Sequence, residues 1–362
     1  MNKIETLYKE WLSLQPLKEV DRNRLNQKFM LEFNYNSNHI EGNTLTYGQT
    51  EMLLLFGKSV DDANMKDLEE MKAHNVGLKM MQVEALEKDK PLTGTFIRQL
   101  HQTLLREDYT VYRQLPDGTN TSYVVHAGQY KTRPNSVKTI TGEVFEYASP
   151  EETPALMTDL VEWYNEAEPE SKLLPIEIAA LFHYRYIRIH PFEDGNGRIA
   201  RLLMNYILLR HNYPMIVIKS KDKPNYLTAL HKCDITVGAV PSDGANAALS
   251  QIIPFVEYIT QNVQTELENC LKILKSGTIR KWWYNGEEIN FNNENTEKLI
   301  YMMYNNPTIT VRGISEAIGI NKSAVQKQIR TLQDKEYIKR IGGTKGKWAV
   351  MLFCTTAKGG TI

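Results

Sequence analysis

The stretch His190-Pro-Phe-Glu-Asp-Gly-Asn-Gly-Arg-Ile-Ala-Arg201 combines a base, a carboxylate, a glycine-flanked loop and two cations. Gly195 and Gly197 lack a Cβ, so the backbone between them can take unusual φ/ψ values and bring its N–H groups close to a ligand. Apolar residues then recur with helical spacing from Ile199 to Ile207, which predicts an amphipathic helix docked on a core. The positive N-terminal end of this helix faces the glycine loop and favours an anion there.

The charged side chains of this stretch suit phosphate chemistry. Arg198 and Arg201 lie three residues apart on one side of the predicted helix, where they can grip phosphate oxygens bidentately. Asp194 offers a hard oxygen ligand of the kind that Mg²⁺ uses when it bridges phosphates. His190, with an ordinary pKa near ~6.5, can accept a proton from a hydroxyl nucleophile at neutral pH. The stretch therefore predicts a phosphate-handling site.

This stretch resembles the signature of the Fic (filamentation induced by cAMP) family, HPFx(D/E)GNGRxxR, at every specified position. The resemblance implies a transferase that binds ATP with Mg²⁺ and passes AMP to a Ser, Thr or Tyr hydroxyl of a target protein, releasing pyrophosphate. It also implies a role for each signature residue: His190 as the base, Asp194 as the Mg²⁺ ligand, Phe192 as the core anchor, Gly195, Asn196, Gly197 and Arg198 as the phosphate cradle, and Arg201 as the clamp on the γ-phosphate.

A second motif lies far upstream. Four-residue spacing predicts one helix face that passes from apolar to polar along Leu25, Phe29, Phe33, Ser37 and Glu41. Gly42 follows where a helix end favours positive φ. A carboxylate at a helix C-terminus is disfavoured unless a cation meets it, so Glu41 is expected to pair with an arginine. The segment also resembles the Fic inhibitory motif, (S/T)xxxE(G/N), which implies that Glu41 pairs with Arg201 and excludes the γ-phosphate.

The rest of the pattern is typical of a mostly α-helical protein. Helices are predicted over residues 60–86, 94–107, 150–167 and 173–189, and the last is apolar on nearly every side and should be the central buried helix. Residues 109–148 are rich in turn-forming and β-branched residues, and a hairpin is predicted over 135–147.

The family resemblance assigns a role to that hairpin, residues 135–147. It implies a flap that covers the active site and pairs with an extended segment of the target protein, so that the target's sequence is read only weakly. Downstream, residues 222–230 resemble the helix that closes the nucleotide pocket, and Tyr226 is a candidate for stacking on adenine. His183, within the buried helix, is expected to be a hydrogen-bonded core residue.

Composition indicates a cytoplasmic enzyme without membrane segments. The chain has 362 residues, and 43 acidic and 43 basic side chains give zero net charge, so no global attraction to nucleic acid or membrane is encoded. The three cysteines are widely separated and lack metal spacing, which favours reduced thiols. No apolar run reaches ~18 residues, so no transmembrane helix and no membrane partner are expected.

The C-terminal segment predicts a winged helix-turn-helix. Three helices are expected over 296–304, 311–318 and 322–333, followed by a hairpin over 337–350. The segment from Lys322 to Lys347 contains eight Lys or Arg residues and only two acidic residues. This local excess of positive charge would attract nucleic acid. Winged helices also dock on proteins, so DNA and protein both remain candidate partners.

Together these patterns predict an N-terminal helical region (1–94) with the inhibitory helix at about 22–42, a Fic core (95–262), a connector (263–292) and a winged helix (293–362). AMP transfer held in check by Glu41 is the expected activity. Two alternatives stay open: removal of AMP or another nucleotidyl or phosphoryl transfer at the same site, and a DNA-binding regulator whose core only senses ATP. The target protein stays unidentified, and a homodimer is also left open.

Overall fold

The computed structural model describes residues 3–58, 62–114, 118–138, 144–170, 173–275, 281–284, 287–291, 293–342 and 346–355. The chain forms two compact units. The first comprises Met1–Lys18 with Leu25–Lys275, and the second comprises Glu19–Arg24 with Ser276–Ile362.

The first unit is predominantly helical. Its helices are α1 (Lys3–Ser13), α2 (Glu19–Ile40, of which the residues from Leu25 onward belong to this unit), α3 (Tyr47–Phe56), α4 (Met65–Leu86), α5 (Gly94–Leu105), α6 (Thr153–Glu170), α7 (Pro175–Ile189), α8 (Asn196–Arg210), α9 (Lys223–Val237), α10 (Pro241–Ala245) and α11 (Ile253–Lys275). Strands β1 (Tyr109–Gln114) and β2 (Asn120–Val125) form one antiparallel hairpin, and β3 (Ser136–Lys138) and β4 (Val144–Glu146) form another.

Helix α7 is the centre of this unit, as its sequence predicts. It packs against α6, α8, α10 and α11, and most of its residues are buried. Pro175 stands in the first turn, where its missing N–H costs nothing, and the Glu177 carboxylate accepts the Leu174 N–H at 2.7 Å. The helix ends at His190, whose left-handed backbone (φ 51°) turns the chain into the glycine loop.

Helix α8 leaves the glycine loop and runs back along α7. Gly195 precedes it with φ 76°, a conformation that glycine adopts without a steric penalty. Its apolar residues, including Ile199, Leu202 and Leu203, are buried in the same core as α7. The fold thus places the positive end of α8 at the glycine loop that follows His190, as the sequence predicts.

The predicted boundary at residue 94 separates no structural units. One hydrophobic core includes Leu25 and Phe33 of α2, Leu78 of α4, and Leu202 of α8, because the apolar faces of the early helices pack on the later ones. The predicted connector 263–292 also differs from the structure. Residues up to 275 continue α11, and Trp282 is buried in the core of the second unit.

The two strands of the predicted hairpin 135–147 are present. β3 pairs antiparallel with β4, with Ser136 opposite Glu146. The predicted turn of this hairpin, residues 139–143, lies outside the described residues.

The second unit has the predicted winged-helix architecture. Its helices are α12 (Glu294–Asn305), α13 (Val311–Ile318) and α14 (Lys322–Asp334), and its strands are β5 (Lys281–Tyr284), β6 (Glu287–Ile289), β7 (Ile338–Ile341), β8 (Lys347–Val350) and β9 (Phe353–Thr355). β7 and β8 form the wing, and β5 lies between β6 and β9.

None of the described helices combines the length and apolar composition that crossing a membrane requires.

Candidate active site

His190 stands at the junction of α7 and the glycine loop. Its imidazole stacks on the ring of Tyr147, which follows β4, with ring centroids 4.0 Å apart. Burial and then the charge of Lys131 hold the pKa of His190 far below its ordinary value. The imidazole is therefore neutral at pH 7 and has a nitrogen lone pair available for a proton, and its lowered pKa makes it a weaker base than an exposed histidine.

Hydrogen bonds from the Asn196 side chain hold the loop after His190 together. Asn196, which is buried, accepts the Phe192 N–H at 3.0 Å and donates to the Phe192 carbonyl at 2.7 Å. Its amide side chain therefore shapes the loop, and the N–H groups of the first turn of α8 are the ones left for an anion. Phe192 is fully buried, as an anchor should be.

Asp194 projects from this loop with its carboxylate already oriented. Oδ1 accepts the Gly195 N–H at 2.6 Å, Oδ2 accepts the Tyr109 hydroxyl at 2.6 Å, and Arg198 Nη2 lies 3.5 Å from Oδ2. Burial alone would raise the pKa of Asp194, but Arg198 and the two hydrogen bonds lower it below its usual range. The carboxylate is ionised and is suited to a hard cation.

Arg201 meets Glu41 at the end of α2, as the sequence predicts. Arg201 Nη2 donates to Glu41 Oε1 at 2.6 Å. Ser37 holds the same guanidinium, because Arg201 Nε donates to its hydroxyl at 3.0 Å and Nη2 donates to its carbonyl at 2.9 Å. Gly42 has φ 98°, the conformation predicted for the residue after this helix end.

The Glu41 carboxylate also lies against Gly197 of the glycine loop. A Cβ on Gly197 would approach Glu41 Oε1 more closely than van der Waals contact allows, so a larger residue at position 197 would displace the Glu41 carboxylate. Burial would raise the pKa of Glu41, but Arg201 and Arg198 lower it, so the carboxylate stays charged at neutral pH. The Glu41 carboxylate therefore occupies the position where the first turn of α8 and Arg201 would bind an anionic ligand.

Tyr226 lies in the core rather than on a ligand surface. It is 3% exposed, and its hydroxyl pairs with His183 Nε2 at 2.8 Å. Its ring contacts His183, Phe255 and Tyr258. The predicted stacking on adenine is therefore not available in this arrangement, because the hydrophobic face of α9 turns Tyr226 inward. His183 is a hydrogen-bonded core residue, as predicted.

The structure adds His101 and Tyr109, which sequence reasoning missed. The Gly128 N–H donates to His101 Nδ1 at 2.9 Å, so Nε2 carries the hydrogen and donates to the Asp194 carbonyl at 3.1 Å. Burial lowers the pKa of His101 to about 4, which keeps this tautomer neutral. Neither residue carries a motif of its own, since both act through contacts between distant segments.

Comparison with known proteins agrees with this geometry. Residues 91–208 match the Fic/DOC family, and residues 292–339 match a winged helix-turn-helix DNA-binding family. The crystal structure of a Fic domain containing signaling protein from Bacteroides thetaiotaomicron VPI-5482 is 58% identical, with a TM-score of 0.71, and the match covers 76% of this chain and 97% of that chain. The chain belongs to the Fic family.

Named relatives of this Fic protein are adenylyltransferases. Protein adenylyltransferase fic-1 of Caenorhabditis briggsae is 27% identical over 265 residues, 73% of this chain and 45% of that protein. Protein adenylyltransferase Fic of Nematostella vectensis is 31% identical over 200 residues, 55% of this chain and 42% of that protein. The chain thus spans less than half the length of these relatives.

Proposed function

We propose that this Fic protein transfers AMP from ATP to Ser, Thr or Tyr hydroxyls of target proteins and of itself, and that Glu41 restrains the reaction. The contact of Glu41 with Arg201 beside Gly197 carries this proposal, because it sets an internal anion against the cationic and N–H groups that suit a nucleotide's phosphates. The adenylyltransferase names of the relatives support the reaction type.

In the proposed reaction the hydroxyl oxygen forms a bond to the α-phosphorus, and the bond from that phosphorus to the bridging oxygen of pyrophosphate breaks. Neutral His190 takes the hydroxyl proton. The N-terminal N–H groups of α8 and Arg198 neutralise the phosphate charge, and Arg201 clamps the γ-phosphate once Glu41 moves away. Positioning governs the rate of such a transfer, so a misplaced triphosphate stops it.

Mg²⁺ fits Asp194, which is ionised, half exposed and fixed by two hydrogen bonds. Within the described part of the chain no three His, Cys, Asp or Glu side chains cluster as a metal cage. A single carboxylate suits Mg²⁺, which commonly takes one or two protein carboxylates, several waters and the substrate phosphates. When bound, the ion would neutralise phosphate charge.

The flap of residues 135–147 is the proposed docking edge for the target. Among the described strands, β3 and β4 pair only with each other, so each offers an outer edge to an extended segment. Tyr147, which directly follows the second strand of the flap, stacks on His190. A target segment that pairs with the flap would therefore lie close to the proposed base.

The position of the transferred label distinguishes the reactions. Glu41→Gly protein is incubated with ATP labelled with ³²P at the α- or the γ-phosphate, and self-modification is followed. AMP transfer predicts label from α-labelled ATP only. Label from γ-labelled ATP would identify phosphoryl transfer instead, and loss of AMP from a previously modified protein would identify removal. No covalent label with nucleotide binding intact would favour an ATP-sensing regulator.

DNA is the proposed partner of the winged helix. α14 buries Val325, Ile329 and Leu332 and turns its other side to solvent. Seven described basic residues are exposed on α14 and the wing, against exposed Asp334 and Glu336: Lys322, Lys327, Arg330, Lys335, Lys339, Arg340 and Lys347. This charge excess on a recognition-type helix favours a phosphate backbone over a protein surface.

A further inference from the structure

The turn between α7 and the glycine loop is held by a buried lysine. Lys131 is 3% exposed, and its Nζ donates to the carbonyls of Ile189 at 3.1 Å and His190 at 3.0 Å, and to Asn135 Oδ1 at 2.8 Å. Its backbone N–H donates to the Pro191 carbonyl at 2.9 Å. A cation here also faces the negative end of α7.

Asn135 completes this arrangement from the adjacent segment. Its Nδ2 donates to the Phe192 carbonyl at 2.9 Å and lies 3.4 Å from the His190 carbonyl. Together Lys131 and Asn135, which we call the clasp, engage the carbonyl of every residue from 189 to 192. The last carbonyl of α7, that of Ile189, has no partner within the helix, and Lys131 satisfies it. The Phe192 carbonyl accepts from both Asn135 and Asn196.

The clasp acts where the backbone is strained. His190 has φ 51°, a left-handed conformation that residues with a Cβ seldom adopt because of its steric cost. Such a conformation persists only when its surroundings determine it. Since the direction of the imidazole depends on this backbone, the clasp also sets the direction of the proposed base.

The residues that flank the two strands of the flap contact His190. Asn135 directly precedes β3 and holds the His190 and Phe192 carbonyls, whereas Tyr147 directly follows β4 and stacks on the imidazole. A target segment that pairs with the flap therefore binds to an element that is connected to the base at both ends.

We propose that Lys131 and Asn135 are positioning residues for AMP transfer: they fix the left-handed backbone of His190 and connect the flap to the base. This inference rests on the proposed function. A purely structural role would resemble that of Asn165, which accepts the Leu92 N–H at 3.0 Å and donates to the Leu92 carbonyl at 2.9 Å far from the signature loop. Asn165 is therefore the matched control.

The test uses full-length Glu41→Gly protein with Lys131→Met, Asn135→Ala or Asn165→Ala added. The clasp variants should lower kcat for self-modification by about 10- to 100-fold, because small misplacements of reacting groups have effects of that size. The Kd for ATP, measured by calorimetry, should not change. Asn165→Ala should lower the melting temperature and leave kcat within about twofold, as expected for a residue remote from the reacting groups.

The pH profile of kcat separates positioning from a general loss of structure. In the Glu41→Gly parent, Lys131 and Asp194 remain as the charged groups that act on His190. Loss of the Lys131 charge removes a disfavouring influence on the imidazolium, so Lys131→Met should move the acid limb of the profile to higher pH. Asn135→Ala, which removes no charge, should lower the plateau without moving the limb.

The inference is overturned if both clasp variants keep the parent kcat, or lose it only in proportion to melting temperature as Asn165→Ala does. If the Glu41→Gly parent transfers no AMP, the proposed function fails instead. The clasp then remains testable by NMR of the His190 imidazole, whose ring signals should shift in the two clasp variants and not in Asn165→Ala. Unshifted signals would overturn it.

Discussion

At the scale of single residues, the local environments of the signature side chains give them different protonation states. His190 is kept neutral by burial, and Asp194 is kept ionised by Arg198 and by hydrogen bonds, although the two lie four positions apart. The residue types and their order are visible in the sequence. The support from His101, Tyr109 and Lys131 is not, because it joins segments far apart in the chain.

His190→Ala in the Glu41→Gly background should reduce AMP transfer by about 10²- to 10⁴-fold, the usual range for loss of a general base. ATP affinity, measured by calorimetry, should be nearly unchanged because the N–H groups of α8 and the arginines remain. Transfer at the parent rate would remove His190 from the role of base.

Asp194→Ala should weaken ATP binding only when Mg²⁺ is present, because the carboxylate anchors the ion and not the phosphates. Titrations of the variant and the parent with ATP are compared in Mg²⁺ and in EDTA. Equal affinity of the two proteins in Mg²⁺ would exclude Asp194 as the metal ligand. A loss of the same size in EDTA would point to a damaged loop.

At the scale of elements, segments with a clear apolar period were predictable, whereas α3 and the part of α11 after residue 262, which the sequence assigned to a connector, were not. The predictions of the central buried helix and of the winged-helix elements are confirmed within a few residues, because their apolar periods are clear. α3 was missed, although Thr46 and Gln49 form a capping box whose Thr-x-x-Gln pattern is visible in the sequence. The burial of Tyr226 was not predicted, because spacing alone does not separate a core aromatic from a ligand-stacking one.

Helix α2 is fixed to the first unit independently of Glu41. Lys28 donates to Glu266 of α11 at 2.6 Å, Lys219 pairs with Glu32, and Lys223 donates to the Ile40 carbonyl at 2.7 Å. Relief of the proposed inhibition is therefore expected to involve the Glu41 side chain, with the helix staying in place.

Lys28→Ala should destabilise the protein by roughly 3 kcal/mol, because it leaves the buried Glu266 carboxylate without its cation. The exposed pair of Lys3 with Glu268 provides the matched control, and Lys3→Ala should change stability by less than about 1 kcal/mol. Chemical denaturation measures both. Equal effects of the two substitutions would show that α2 is not held by the buried pair.

At the scale of the whole molecule, a Fic unit and a winged helix share one chain. The family and both folds could be predicted from sequence, because the signature is long and the C-terminal helices are strongly amphipathic. The division into units could not. Trp282 and the strands around it belong to the second core, and only tertiary packing reveals that.

Arg330→Ala should weaken binding of the full chain to duplex DNA and reduce the slope of log affinity against log salt by about 1, as loss of one phosphate contact does. Lys232→Ala, which removes an exposed cation from the first unit, is the control and should leave both unchanged. Fluorescence anisotropy over a salt series measures both quantities. No binding, or equal losses in the two variants, would exclude α14 as a DNA contact.

The most direct test of restraint by Glu41 is the amount of AMP that the protein incorporates into itself from α-³²P-ATP, with Glu41→Gly compared with wild type. Freeing Arg201 should raise the rate about 10²-fold or more, since one charged donor in a water-poor site has an effect of that size. Glu87→Gly, which alters a glutamate at the end of α4, should match wild type, and Arg201→Ala should abolish the gain. Equal labelling of wild type and Glu41→Gly would contradict the account.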